Sequence, residues 1–157
     1  GTLGGYSTIC MARGLPSDGR IVTLESEALH AATARANFER AGVAARIDIR
    51  IGPAADSLPL LVHEGRGPFD FVFIDADKPG NPIYIDWALK LSRPGTVIVC
   101  DNVVLNGVVV DAANSDPGVL GSRRAIEMFG ADSRLRATAL QTVGSKGYDG
   151  FAIALVR

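Results

Sequence analysis

Residues 69–102 read FDFVFIDADKPGNPIYIDWALKLSRPGTVIVCDN, and this stretch decides the fold. It opens with FDFVFID (69–75), a nearly continuous apolar run ending in an acid, the pattern of a parallel strand buried on both faces. NPIYIDWALKLSRPG (81–95) follows as a helix, with Pro82 near its first turn and the RPG triplet as its stop. TVIVCDN (96–102) is a second buried strand, again ending in polar residues. Strands that alternate with helices in this way build a parallel, doubly wound α/β sheet.

The same alternation extends outward. Upstream, RIVTLE (20–25) and ARIDIRIG (45–52) read as strands. Between them, residues 25–42 read as a helix capped by Ser26, with Leu29, Ala32 and Ala36 on one face and Gly42 at its end. AADSLPLLVHEG (54–65) reads as a short helix interrupted by Pro59. Downstream, VLGSRRAIEMFG (119–130) is helical, with its SRR group expected on a solvated face. RLRATALQTV and GFAIALVR then have no helix between them, so they are expected to form an antiparallel pair joined by the turn VGSKGYDG. The chain begins at the glycine loop GTLGGYST without a strand before it. Such loops normally leave a buried parallel strand and enter a helix, so the expectation is one domain over residues 1–157 that is incomplete at its N-terminus and lacks its first strand.

The bulk properties suit an ordinary globular domain: 157 residues, 47% hydrophobic and 21% charged. A net charge of −1 leaves no overall electrostatic footprint for nucleic acid or an anionic membrane, so neither is expected as a partner. No apolar run reaches the ~18 residues of a membrane span. Cys10 and Cys100 form no C-x-x-C pair, which argues against zinc and disulfides and leaves the reducing cytoplasm as the default. Cys100 sits inside an apolar strand, as a small core residue would. His30 and His63 read as solvated groups. Tyr84 and Trp87 are expected to pack their helix on the sheet.

In parallel α/β sheets, ligands bind beyond the carboxyl ends of the strands. Glu25 lies at the first such end, 24 residues after Gly1, where a carboxylate can accept hydrogen bonds from a ribose diol or simply favour a helix N-terminus. IGPAAD offers small residues for a flat base, or is an ordinary loop. FIDADK and VCDN put Asp75 near Asp101 and Asn102 at two neighbouring strand ends. Hard oxygen donors without histidine or thiolate suit Mg²⁺, Ca²⁺ or Mn²⁺. Adjacent strand residues point to opposite faces, so Asp101 and Asn102 can share an ion only if the strand has already ended.

GTLGGYST, TLE, FVFIDADKPGN, RPGTVIVCDNVVLNGVV and KGYDGFAIALV, in that order, resemble the cation-dependent, S-adenosylmethionine-dependent O-methyltransferases. This is the family of catechol and caffeoyl-CoA O-methyltransferases, with a Rossmann-like sheet. The resemblance implies S-adenosylmethionine as methyl donor, a divalent cation, and a vicinal aromatic diol as acceptor. It implies that Gly1, Gly5 and Ser7 hold the methionine part of the cofactor, Glu25 the ribose, and Pro53 and Ala54 the adenine. Asp75, Asp101 and Asn102 would bind the metal, with Asp75 counted in the cofactor set as well, and Lys78 would be the general base. It also implies a homodimer. Leu105 and Asn106 depart from the family, which often has an aromatic residue and glycine there. A hydroxylated tRNA base is an alternative acceptor, which a basic patch of Arg123, Arg124, Arg134 and Arg136 would favour. A non-catalytic cofactor-binding fragment is another reading, and an oxidoreductase is disfavoured because the glycines do not form G-x-G-x-x-G.

Overall fold

The structure is a computed structural model that describes residues 1–145 and 147–157. It divides into two compact units, Gly1–Leu60 and Leu61–Arg157.

In the first unit, α1 (Tyr6–Gly14) precedes β1 (Ile21–Glu25), α2 (Ala28–Arg40) and β2 (Ile47–Ile51). The two strands pair in parallel, with Glu25 opposite Ile51. Their core joins Ala12, Ala31, Ala34, Phe38, Val43 and Ile49. Helix α2 therefore buries Ala31, Ala34 and Phe38, at i, i+3 and i+7. The expected stripe of Leu29, Ala32 and Ala36 faces outward, and Leu29 is 77% exposed. Phe38, the largest apolar group of the helix, sets the buried face. Ser26 does not cap α2 either. Glu27 occupies the cap position, and its N–H is taken by the Glu25 carboxylate at 3.0 Å. Helix α3 (Ala54–His63) runs through Pro59 without stopping.

The second unit contains β3 (Phe69–Ile74), α4 (Asn81–Lys90), β4 (Ser92–Asp101), α5 (Pro117–Ala131), β5 (Leu135–Gly144) and β6 (Gly147–Val156). Its sheet has the order β3-β4-β6-β5. β3 and β4 are parallel, with Ile74 opposite Cys100. β6 is antiparallel to both β4 and β5, so the last strand returns between them. Lys146, in the turn expected between β5 and β6, lies outside the described residues. The architecture is thus mixed α/β, with parallel pairing up to β4 and antiparallel strands at the C-terminus.

One sheet face packs Ile74, Ile98, Cys100, Ala152 and Ala154 against Ile85, Ala88, Ala125 and Phe129 of α4 and α5. Truncating a fully buried member such as Ile98 to alanine would cost about 2–5 kcal/mol. β3 is an edge strand of this sheet and is buried on one face only. Val72 packs on the core, while Phe71 on the other face is 46% exposed. The SRR group, expected on a solvated face, is corrected: Ser122 is fully buried, and only Arg124 of the triplet is exposed. Tyr84 packs on the core as expected, whereas Trp87 carries the Lys90 ammonium 4.0 Å from its ring centre.

Candidate functional site

The first unit gathers the glycine loop, Glu25 and the segment after β2 at the carboxyl ends of β1 and β2. Parallel pairing supplies the alignment, and Gly52 N–H donates to the Glu25 carbonyl at 2.8 Å. The loop is a tight turn: Gly5 N–H donates to the Thr2 carbonyl at 2.8 Å. Gly5 has φ +85°, and a Cβ there would come within 2.5 Å of Phe38 Cε1. Both the backbone conformation and the aromatic contact require glycine. Ser7 sits in the first turn of α1, half-buried, while Pro53 is exposed and Ala54 begins α3.

Glu25 is the centre of this arrangement. It is 5% exposed, and its Oε2 accepts from Thr2 N–H at 2.8 Å and Leu3 N–H at 2.7 Å. Oε1 accepts from Glu27 N–H at 3.0 Å and stands 3.5 Å from His30 Nδ1. Burial pushes the carboxyl up, but the N–H groups of Glu27, Leu3 and Thr2 outweigh it and hold Glu25 below the usual value. A buried anion thus organises the loop that precedes it by more than twenty residues. Asn37, which sequence reasoning missed, completes the loop by donating from Nδ2 to the Gly4 carbonyl at 2.7 Å.

The second unit gathers the polar ends of β3 and β4. Because Ile74 pairs with Cys100, Asp75 and Asp101 leave the two strands side by side. β4 ends at Asp101, and Asn102 already has the left-handed φ of +58°. The condition for the two residues to share a ligand is therefore met. Lys78 Nζ lies 2.9 Å from Asp75 Oδ1. Burial pushes the Asp101 carboxyl up; the Asn102 N–H at 2.8 Å opposes this, and the negative charges of Asp75 and Asp149 reinforce it. Among the described residues, no three His, Cys, Asp or Glu side chains form a ready metal cluster. The available set is two carboxylates and one amide oxygen, whose hard-donor chemistry fits a cation of the Mg²⁺ type. Cys100 is no nucleophile here, since burial pushes its thiol up to about 11.

Several supports of this cluster were not legible beforehand. Asp77 caps the turn that carries Lys78 by accepting from Gly80 N–H at 3.1 Å, and it also accepts from the Tyr84 hydroxyl. Burial and that bond push Tyr84 up to about 12. Gly121 lets α5 lie directly on the Lys78 carbonyl, where a Cβ would stand 2.0 Å from the oxygen. The buried Ser122 hydroxyl donates to the Asn102 carbonyl at 3.0 Å. Asp149, in the GYDG segment, accepts from Asn102 Nδ2 at 3.0 Å with one oxygen. With the other it accepts from Val104, Leu105 and Gly150 N–H at 3.1, 2.9 and 2.8 Å. Burial pushes Asp149 up, but these donors hold it below the usual value. Asn106, one of the departures in the segment after Asn102, has φ +53° and accepts from Tyr148 N–H at 3.2 Å. Asparagine is among the few residues that tolerate such a backbone.

Residues 1–155 match a family of proteins described as O-methyltransferases. The chain is 55% identical to a catechol O-methyltransferase of Niastella koreensis, over all of this chain and 71% of that protein. It is 54% identical to a catechol O-methyltransferase of Mycobacterium tuberculosis, over all of this chain and 70% of that one. Among solved structures, an O-methyltransferase from Bacillus cereus in complex with SAH superposes with a TM-score of 0.98 at 60% identity, covering 100% of this chain and 71% of that one. No helix among the described residues is long and apolar enough to cross a membrane.

Proposed function

The chain belongs to the O-methyltransferase family, and from that premise we propose that it moves the methyl group of S-adenosylmethionine to one hydroxyl of a vicinal aromatic diol, assisted by a divalent cation. The observation that supports this reading is the register of Ile74 with Cys100, which sets Asp75 beside Asp101 and Asn102 at two neighbouring strand ends, with Lys78 Nζ 2.9 Å from Asp75. The names of the similar catechol O-methyltransferases support the acceptor class.

S-adenosylmethionine supplies an electrophilic methyl when bound. Glu25 is assigned to its ribose hydroxyls, the loop through Gly1, Gly5 and Ser7 to its methionine part, and Pro53 and Ala54 to its adenine. Asp75, Asp101 and Asn102 are assigned to the cation, with Mg²⁺ as the first choice and Ca²⁺ or Mn²⁺ as alternatives; Asp75 also stays in the cofactor set. The cation, when bound, supplies charge that makes a hydroxyl more acidic and a template for two oxygens. Lys78 holds at Nζ the proton that leaves the acceptor hydroxyl. Asp77 and Gly121 fix the backbone of the turn that carries Lys78, and Asp75 holds its Nζ at 2.9 Å. Most of the catalysis in this reading is orientation plus one proton transfer.

The chain is read as a single methyltransferase domain of a cytoplasmic, homodimeric enzyme. The RNA alternative is the weaker reading, because acids offset two of the four arginine charges on which it rests. Arg123 donates to the Val109 and Asp111 carbonyls, Arg124 pairs with Glu127, and Arg134 pairs with Asp132.

The test is methyl transfer to paired acceptors, a vicinal diphenol and the monophenol lacking one hydroxyl, at saturating S-adenosylmethionine and Mg²⁺. Strong preference for the diphenol is expected. Equal turnover of both, or of neither, sinks the acceptor class.

A further inference from the structure

Asn102 is the weak member of the proposed cation set, because an amide offers an oxygen on one side and a hydrogen-bond donor on the other. An amide that rotates by half a turn presents the wrong atom. We propose that Asp149 is a positioning residue that locks the Asn102 amide with its oxygen available to the cation. This inference rests on the cation reading given above.

Asp149 divides its carboxylate between two tasks. Oδ1 is occupied by the N–H groups of Val104, Leu105 and Gly150, so the carboxylate cannot turn away. Oδ2 faces Asn102 Nδ2 at 3.0 Å. The opposite amide orientation would set oxygen against oxygen, two acceptors with no proton between them. With Nδ2 committed to Asp149, Oδ1 is the atom left for a cation. The backbone of Asn102 is fixed separately, by Ser122 Oγ on its carbonyl at 3.0 Å. Asp149 therefore sets the side chain while α5 sets the main chain. The residue lies 47 positions away in the chain, and β6 brings it across because Phe151 pairs with Asp101. Partners that orient a metal ligand in this way typically matter about 10- to 100-fold in metal affinity.

Asp149→Asn separates this role from a structural one. The new amide can keep its oxygen on the three N–H groups, but it places a donor where Oδ2 was. Asn102 must then turn its oxygen toward that donor and away from the cation. In an Asn102→Asp background the ligand is a carboxylate with oxygen on both sides. One oxygen can accept from the new amide and the other still serves the cation.

The measurement is Mn²⁺ binding by electron paramagnetic resonance, with Mn²⁺ alone as the probe and no activity readout. D149N is expected to weaken binding about 10- to 100-fold in the otherwise native chain. The N102D/D149N double variant is expected to bind at least as tightly as N102D. Unchanged binding in D149N, or the same loss in both backgrounds, overturns the proposal. Native protein that binds no Mn²⁺ removes the cation reading and this inference with it. Native binding that D101N abolishes and D149N leaves intact removes this inference alone. Should D149N fail to fold, NMR of the native protein decides: slow solvent exchange of the Asn102 side-chain amide is expected, and fast exchange of both its protons overturns the proposal.

Discussion

Glu25 closes β1 and Asp101 closes β4, each with a carboxylate at the carboxyl end of a parallel strand, yet their surroundings pull them in opposite directions. Burial opposes the charge in both. At Glu25 three backbone N–H groups overcome it, and the carboxyl lies below its ordinary value. At Asp101 burial, together with the charges of Asp75 and Asp149, outweighs one backbone N–H and the Lys78 charge, and the carboxyl lies above its ordinary value. The first acid is satisfied by its own chain and shapes a loop. The second stands near two other acids, whose repulsion a cation would relieve in the proposed reading. The same residue class at the same topological place is thus shifted in opposite directions, according to how many N–H donors offset its burial.

The largest effect expected is at the second acid. Asp101→Asn should lower methyl transfer on the order of 10³-fold, because the cation loses a charged ligand. The same change should stabilise the protein in chelator. Asp101 has a raised folded value, so its charge costs stability as pH rises through that value. The advantage of D101N is therefore full near neutral pH and shrinks as pH falls toward 3.8, as urea unfolding in EDTA would show. A D101N protein with undiminished turnover would erase the contrast with Glu25.

Lys78→Met should lower kcat about 10²-fold or more, the usual worth of a positioned base. Mn²⁺ affinity should hold or improve, because the ammonium no longer competes for Asp75. Loss of Mn²⁺ binding with kcat preserved would reassign Lys78 to a structural role.

Glu25→Gln should weaken S-adenosylmethionine binding by about 10-fold by calorimetry, and should cost about 1.5–3 kcal/mol of stability through its three charge-assisted bonds. Here the sign reverses. The folded value is depressed, so the stabilisation is present above the ordinary value of 4.5 and is lost as pH falls through the folded value. Wild type and E25Q should therefore converge in acid. Gly5→Ala should act on the same loop without touching charge. Its left-handed backbone and the Phe38 ring predict a loss of about 1–3 kcal/mol in urea unfolding, independent of pH.

Much of this contrast was legible in the chain itself. Apolar runs that stop at TLE, FID and VCD mark strand ends, and strand ends are where parallel sheets put ligands. What sequence could not show was which partner each acid meets. The hold of Glu25 on Thr2 and Leu3 depends on the turn at Gly5, and the bond from Asn102 to Asp149 depends on β6 returning beside β4. Neither is a local pattern. Burial was also misjudged where neighbours decide it. Ser122 belongs to a polar triplet but lies buried against the Asn102 carbonyl. The face of α2 was misread because alanines at helical spacing carry little signal, and the position of Phe38 carries most of it.

In the proposed reading, methyl transfer depends on a cation held by the acids at the ends of β3 and β4. Its most direct test is the initial rate of methyl transfer to a vicinal diphenol as Mg²⁺ is raised from zero in chelator-treated protein. No measurable transfer is expected without Mg²⁺, with a saturable rise on adding it and loss of that rise in D101N. Full activity in the presence of chelator would contradict that reading.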